Sequence, residues 1–146
     1  MFNEFTVMFL AFLVLGTVLQ FWLARRQITC VSAHQNAVPT AFTEKITLAD
    51  HQKAAAYTLA KVRYTQIMLV IDTLIVLLWT LGGLLEYLDQ TWRSLGWSSL
   101  WTGAAVIISM TILSELLDLP KNLYTTFRLE DKFDFNRTTP SIFITD

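Results

Sequence analysis

Four acidic side chains lie in or at the ends of long apolar runs: Asp72, Glu86, Glu115 and Asp118. A charge at mid-bilayer costs at least about 2.5 kcal/mol, so such residues face a protein interior or a water-filled cavity. Helical geometry gives them shared directions. At about 100° per residue, Asp72, Trp79, Gly83 and Glu86 fall in one narrow sector of a second helix. Thr111, Glu115 and Asp118 follow at i, i+4 and i+7, one polar stripe on a third helix. The chemistry this allows is a hydrated chamber between helices, lined by Asp72, Glu86, Thr111, Glu115 and Asp118. The competing reading leaves Glu86 and Asp118 at the membrane surface, in water.

Other reactive groups are scarce. His34 and His51 are the two histidines, and Glu44 and Asp50 stand near them. Their spacing matches no zinc pattern, which wants closely paired Cys or His ligands, so they read as solvated loop and helix residues. Cys30 is the single cysteine, so no internal disulfide can form. The chain contains no H-E-x-x-H, the helical pair of zinc ligands with its general-base Glu. It also has no G-x-S-x-G, no Walker loop and no G-x-G-x-x-G. No catalytic residue, metal ligand or cofactor site is therefore assigned to this chain.

The elements that carry these residues are written in hydropathy. Hydrophobic residues make up 53% of the 146-residue chain and charged residues 16%, with a mean hydropathy of +0.45. A soluble domain carries about a quarter charged residues, so lipid is the expected solvent. The net charge of −1 gives no reason to expect nucleic-acid binding. Three apolar runs, over residues 5–23, 67–88 and 100–119, are each long enough to cross a hydrocarbon core of about 30 Å. The first carries Glu4 before it and Arg25–Arg26 after it, the reverse of a secretory signal, so it is expected to be retained. The third is expected to stop at Pro120. The fold class is all-α and integral to the membrane, one domain over 1–146.

Basic residues predict the orientation. Arg25, Arg26, Lys45, Lys53, Lys61 and Arg63 crowd the loop 24–66, and Lys121, Arg128, Lys132 and Arg137 the tail 120–146; the loop between the second and third runs holds only Arg93. The positive-inside rule places that first loop and the tail in the cytoplasm and the N-terminus outside. Trp92, Trp97 and Trp101 then fall at the outer interface and Trp22 at the inner one, as an aromatic belt requires. Residues 27–43 read as irregular around Pro39. From Thr47, a plausible N-cap with Asp50 three residues on, the pattern turns helical. No Gly or Pro interrupts it up to Leu81, which predicts one helix of roughly 60 Å extending beyond the bilayer into the second span. Ala54, Ala55, Ala56 and Ala60 favour that helix and permit close approach by another. The tail, with Tyr124, Phe127, Phe133 and Phe135, is too apolar for a disordered linker, yet the chain offers little for it to pack on.

Two stretches carry a resemblance. Leu48–Arg63, LADHQKAAAYTLAKVR, leads into a span ending WTLGGLLEYL; Leu119–Phe143 reads LPKNLYTTFRLEDKFDFNRTTPSIF. With the upstream RRQITCVSAHQNAVPTAF, they resemble the N-terminal membrane region of the CAAX prenyl protease type 1 family, integral-membrane zinc metalloendopeptidases. The resemblance implies part of a larger, seven-helix hollow bundle around a hydrated chamber. It also implies zinc in the complete enzyme, held by a later H-E-x-x-H helix and a third ligand that are absent here. The matching positions are Asp50, His51, Lys53, Tyr57 and Lys61, then Tyr124, Phe127, Glu130, Phe133, Asn136, Arg137 and Thr138, as structural markers only. The implied partners are the lipid bilayer, a C-terminal catalytic half, and a peptide or prenylated protein substrate. The implied membrane is a bacterial inner membrane or the endoplasmic reticulum.

The expected function is thus an N-terminal membrane domain forming part of a substrate-chamber wall, inactive alone. Two alternatives compete: a stand-alone membrane protein that binds the protease or its substrates, and a small transport or channel subunit using Asp72 and Glu115. Acidic stripes without partners also predict self-association or instability of the isolated chain in detergent.

Overall fold

A computed structural model describes residues 3–139 and 143. The described chain is built of helices: α1 (Glu4–His34), a short 3₁₀ turn (Thr40–Phe42), α2 (Leu48–Thr80), α3 (Leu84–Arg93) and α4 (Ser99–Tyr124). Beyond α4 the chain widens into a π-helical stretch, Thr125–Glu130. Three helices are long and apolar enough to span a membrane: Glu4–His34, Leu48–Thr80 and Ser99–Glu130, with mean hydropathies of 2.2, 1.6 and 1.7 over their most apolar windows. The all-α, membrane-spanning reading holds.

α1 and α2 begin where a side chain supplies an acceptor for a free N–H group. Asn3 caps α1, its Oδ1 accepting from Thr6 N at 2.8 Å. Thr47 caps α2: its Oγ1 accepts from Asp50 N at 3.1 Å, and its hydroxyl donates to the Asp50 carboxylate at 2.6 Å. That is half of the capping box read from the sequence: the Asp50 carboxylate takes the Thr47 hydroxyl, where a full box would take the Thr47 backbone N–H.

Three element ends and the packing of the tail differ from the sequence expectation. α1 does not stop at Leu23 but continues to His34, so the irregular stretch expected over 27–43 lies at residues 35–47 instead. No Gly or Pro lies between Leu23 and His34, and the polar residues there disfavour lipid, not helix. The second span does not run to Leu88. α2 ends at Thr80, and Gly83 takes φ +76°, a left-handed conformation that glycine adopts without strain. The Leu81 and Gly82 N–H groups both return to Leu77 O, at 2.8 and 2.9 Å, so the last turn widens to an i→i−5 bond before the chain breaks. A Cβ on Gly82 would lie 2.6 Å from Leu78 O, so neither glycine of the pair is replaceable without movement. α2 is therefore about 50 Å long, still well beyond a core of about 30 Å.

The third helix does not stop at Pro120. It passes through the proline to Tyr124 and on into the π-helical stretch. Proline removes one N–H from the ladder, a loss that membrane helices tolerate where other donors serve the nearby carbonyls. The carbonyl that loses its donor is Leu116 O, one turn before the proline; past it, where the ladder widens, Lys121 O accepts from Tyr64 Oη at 3.2 Å and from Thr125 Oγ1 at 3.0 Å. The tail, fourthly, does find something to pack on: the π-helical stretch lies against both α4 and α2.

Packing follows chain order. α1 lies along α2, α2 meets α3, and α3 folds onto α4. Thr17 Oγ1 and Thr73 Oγ1 are 3.4 Å apart across the α1–α2 contact. At the far end of that pair, His51 Nε2 is 3.0 Å from His34 O and Gln52 Nε2 donates to Asn36 Oδ1 at 3.3 Å. Among the described residues only Ala55, Trp79, Thr102 and Leu129 are buried. α1 buries none of its side chains. The helices form an open layer with large apolar faces uncovered.

Candidate functional site

The densest polar cluster within the spanning helices joins α2 to the end of α4. Asp72 sits midway along the apolar half of α2. Lys121, one residue after Pro120, reaches across and donates to Asp72 Oδ1 at 2.6 Å. The same ammonium pairs with Asp118, one turn earlier on its own helix. Lys121 is the most enclosed of the three, at 21% side-chain exposure. Two carboxylates therefore share one cation in a setting where an unpaired charge costs several kcal/mol. The contact is reinforced below: Tyr64 of α2 stacks on Tyr124 of α4 with ring centroids 4.8 Å apart. Between them lies a groove of about 360 Å³ lined by Tyr64, Met68, Ile71, Leu117, Pro120 and Lys121.

The sequence-derived chamber residues do not all meet here. Asp72 and Asp118 are brought together. Thr111 turns its hydroxyl back to Ile107 O at 3.0 Å. Glu115 is exposed, with no hydrogen bond or ion pair among the described residues. Glu86 leaves the shared sector altogether, because the chain breaks at Gly82–Gly83 and Glu86 begins α3, accepting from Gln90 Nε2 at 3.1 Å. Gly83 leaves it for the same reason. Trp79 stays on α2, 5% exposed, and its indole N–H has no partner among the described residues.

Lys121 is the participant that sequence reading missed. Its position after a proline marked it as a tail cation. The available signal was spacing: Asp118 stands three residues before Lys121, one helical turn if the helix survives the proline.

The family-matching positions form a second cluster. Tyr57 of α2 meets Phe133 edge-on at 5.6 Å and Phe135 at 4.9 Å. Between those two rings, Asp134 turns through φ +57°, and its carboxylate receives Lys53 Nζ at 2.7 Å. Aspartate is among the few residues that take this left-handed conformation readily. Lys53 also lies over the Phe135 ring at 5.6 Å, and Lys61 over Tyr57 at the same distance. Glu130 O accepts from both Phe133 N and Phe135 N, which curls the tail back toward α2. Asn136 Oδ1 accepts from Thr138 N at 2.8 Å, Phe127 meets Phe143 at 5.4 Å, and Arg137 is exposed. Asp50 and His51 serve at the start of α2, as capping residue and hairpin tie. Residues 140–142 and 144–146 of the matching stretch and tail lie outside the described residues.

No three His, Cys, Asp or Glu side chains converge as a metal site would need, among the described residues. His34 Nδ1 is 2.8 Å from Cys30 O, and His51 is engaged with the α1 backbone. These residues do not fit zinc, and no hydrolytic step is assigned to them.

At the other end of the molecule α3 is pinned to α4. Trp92 Nε1 donates to Ser109 Oγ at 3.0 Å, and Trp92 lies 5.4 Å from Trp97. Arg93 donates to Asp89 at 2.6 Å, and that hydrogen bond and charge hold the guanidinium protonated above its ordinary range.

Comparison with known proteins places this arrangement. A family model described as the CAAX prenyl protease N-terminal region, with five membrane helices, matches residues 27–146. The described residues contain three helices of spanning length, besides the short α3. A protein of Schizosaccharomyces pombe named probable CAAX prenyl protease 1 is 29% identical over 139 positions, covering 86% of this chain. The chain spans about 29% of that relative's length. No solved structure matches. The matched span takes in both motif stretches and the helices that join them, and by it this chain belongs to the CAAX prenyl protease N-terminal family, as a multi-pass membrane protein.

Proposed function

We propose that this chain forms one wall of an intramembrane substrate chamber in a zinc metalloendopeptidase of the CAAX prenyl protease type. The catalytic zinc and its general base come from a C-terminal half, and the chain is inactive alone. The observation that carries the reading is Glu115. It is an exposed carboxylate within a helix of spanning hydropathy, with no partner among the described residues, on an open layer of helices that buries almost nothing. In lipid such a group needs a protein or water-lined surface opposite it. A chamber closed by further helices supplies one. The work left to this chain is to confine a peptide or prenylated protein substrate and to hold water at the stripe of Thr111 and Glu115.

An ion path through Asp72 is disfavoured by the same geometry, since Lys121 occupies that carboxylate. The proposed topology puts the N-terminus outside and both the segment 24–66 and the tail 120–146 in the cytoplasm, supported by the basic residues they carry.

The test is co-expression of this chain with the C-terminal half of a family protease that carries H-E-x-x-H, using a prenylated C-terminal peptide as substrate. Neither half alone should hydrolyse it; together they should. In the assembled enzyme Glu115→Leu should lower kcat/KM several-fold with zinc content unchanged. Cleavage by this chain alone, or full activity of the Glu115→Leu assembly, would overturn the chamber-wall reading.

A further inference from the structure

The α1–α2 hairpin carries a feature that the chamber reading does not use. Its register is set by the Thr17–Thr73 contact at one end and the His34–His51 contact at the other. In this antiparallel register Arg25 and Arg26 of α1 stand level with Lys61 and Arg63 of α2. All four are exposed. The ion pairs of the described residues involve Lys53, Arg93 and Lys121 instead, so none of the four has an acidic partner there.

This cationic belt lies where the apolar segments begin. The run 5–23 ends two residues before Arg25, and the apolar part of α2 starts at Ile67, four after Arg63. Trp22 marks the same level, with the Arg26 guanidinium 4.9 Å from its ring centroid. Trp and Arg favour the headgroup layer, where a ring meets apolar chains and a charge meets water.

Two open grooves flank the hairpin at this level. One, of about 600 Å³, has Leu23, Ala24 and Val62 in its walls, interspersed with two glutamines and two threonines, and includes Lys61. The other, of about 520 Å³, is walled by Phe21, Ile67 and Val70 and carries Arg63. Each pairs apolar walls, mixed with amides and hydroxyls in the first groove, with a cation that has no acidic partner among the described residues. That is the reverse image of an anionic phospholipid, an acyl chain below a phosphate.

We propose that the α1–α2 hairpin binds anionic phospholipid, with acyl chains in these grooves and headgroup phosphates at Lys61 and Arg63, and with Arg25 and Arg26 adding to the field. The site stands apart from the proposed chamber and does not depend on it.

Native mass spectrometry of the full chain in detergent tests it, with phosphatidylglycerol and phosphatidylcholine of matched acyl chains as probes. Phosphatidylglycerol should be retained about thirty-fold better, the ratio for two juxtamembrane cations. The pair Lys61→Gln with Arg63→Gln should lower that preference at least ten-fold, leaving only the field of Arg25 and Arg26. The exchange Lys61→Arg with Arg63→Lys should keep it, which separates lost charge from a lost fold. Lys132→Gln with Arg137→Gln removes the same charge from the tail and should leave retention unchanged. Equal retention of the two lipids would overturn the proposal, as would an equal loss in both neutralised pairs. Release of the lipid on adding the C-terminal half would assign the grooves to protein and also overturn it.

Discussion

Lys121 is the residue on which the α2–α4 contact turns. It neutralises Asp72 and Asp118 at once, so its removal leaves two carboxylates without a cation in a low-dielectric setting. Lys121→Met should lower the unfolding free energy by about 1.5–3 kcal/mol, the range for hydrogen bonds to charged groups. Asp72→Asn should cost less, because Asp118 still holds the ammonium. Thermal unfolding in detergent by circular dichroism measures both, and a Lys121→Met protein as stable as wild type would show that the pair contributes nothing. Gly83 is a second single-residue constraint. Its φ of +76° penalises any Cβ, so Gly83→Ala should destabilise by about 1 kcal/mol in the same assay.

At the scale of elements, the tail is held to α2 by the aromatic contacts of Tyr57 with Phe133 and Phe135 more than by the Lys53–Asp134 pair. The carboxylate side of that pair is 84% exposed, and exposed ion pairs contribute about 0–1 kcal/mol. Each aromatic pair contributes about 0.5–1.5 kcal/mol beyond its area, and Tyr57 makes two. Tyr57→Ala should therefore free the segment 131–139, seen as at least five-fold faster cleavage there by a protease in limited digestion. Lys53→Gln should change that rate less than two-fold. The reverse order would mean that charge, not ring packing, holds the tail.

At the scale of the whole molecule, the open helical layer has consequences for assembly. Large apolar side chains on α1 and α4, such as Phe5, Phe12, Leu100 and Ile107, are more than 60% exposed. Glu115 shares the α4 surface with them. The chain alone should self-associate in detergent, and adding the C-terminal half should convert the oligomers into a defined complex and raise Tm by several degrees. Size-exclusion chromatography with light scattering follows the first change and a thermal melt the second. A monodisperse monomer, unaffected by the C-terminal half, would count against a shared chamber.

Much of this molecule is legible in its residues taken in order. Apolar runs of spanning length, the Thr47 cap, the unbroken course of α2 and the motif stretches that place the chain in its family all rest on local composition. Local composition is enough for a helix in lipid, because each helix satisfies its own backbone hydrogen bonds before it meets a neighbour. The misread boundaries failed where a local rule was weaker than the backbone state: the helix passed Pro120 because a proline removes only one N–H from the ladder, and α2 ended because Gly83 took a left-handed turn. Partnership was not legible at all. That Lys121 belongs to Asp72, that Tyr57 receives the tail, and that Glu115 stands uncovered depend on side chains far apart in sequence. Their pairing energies appear only once the helices are set side by side.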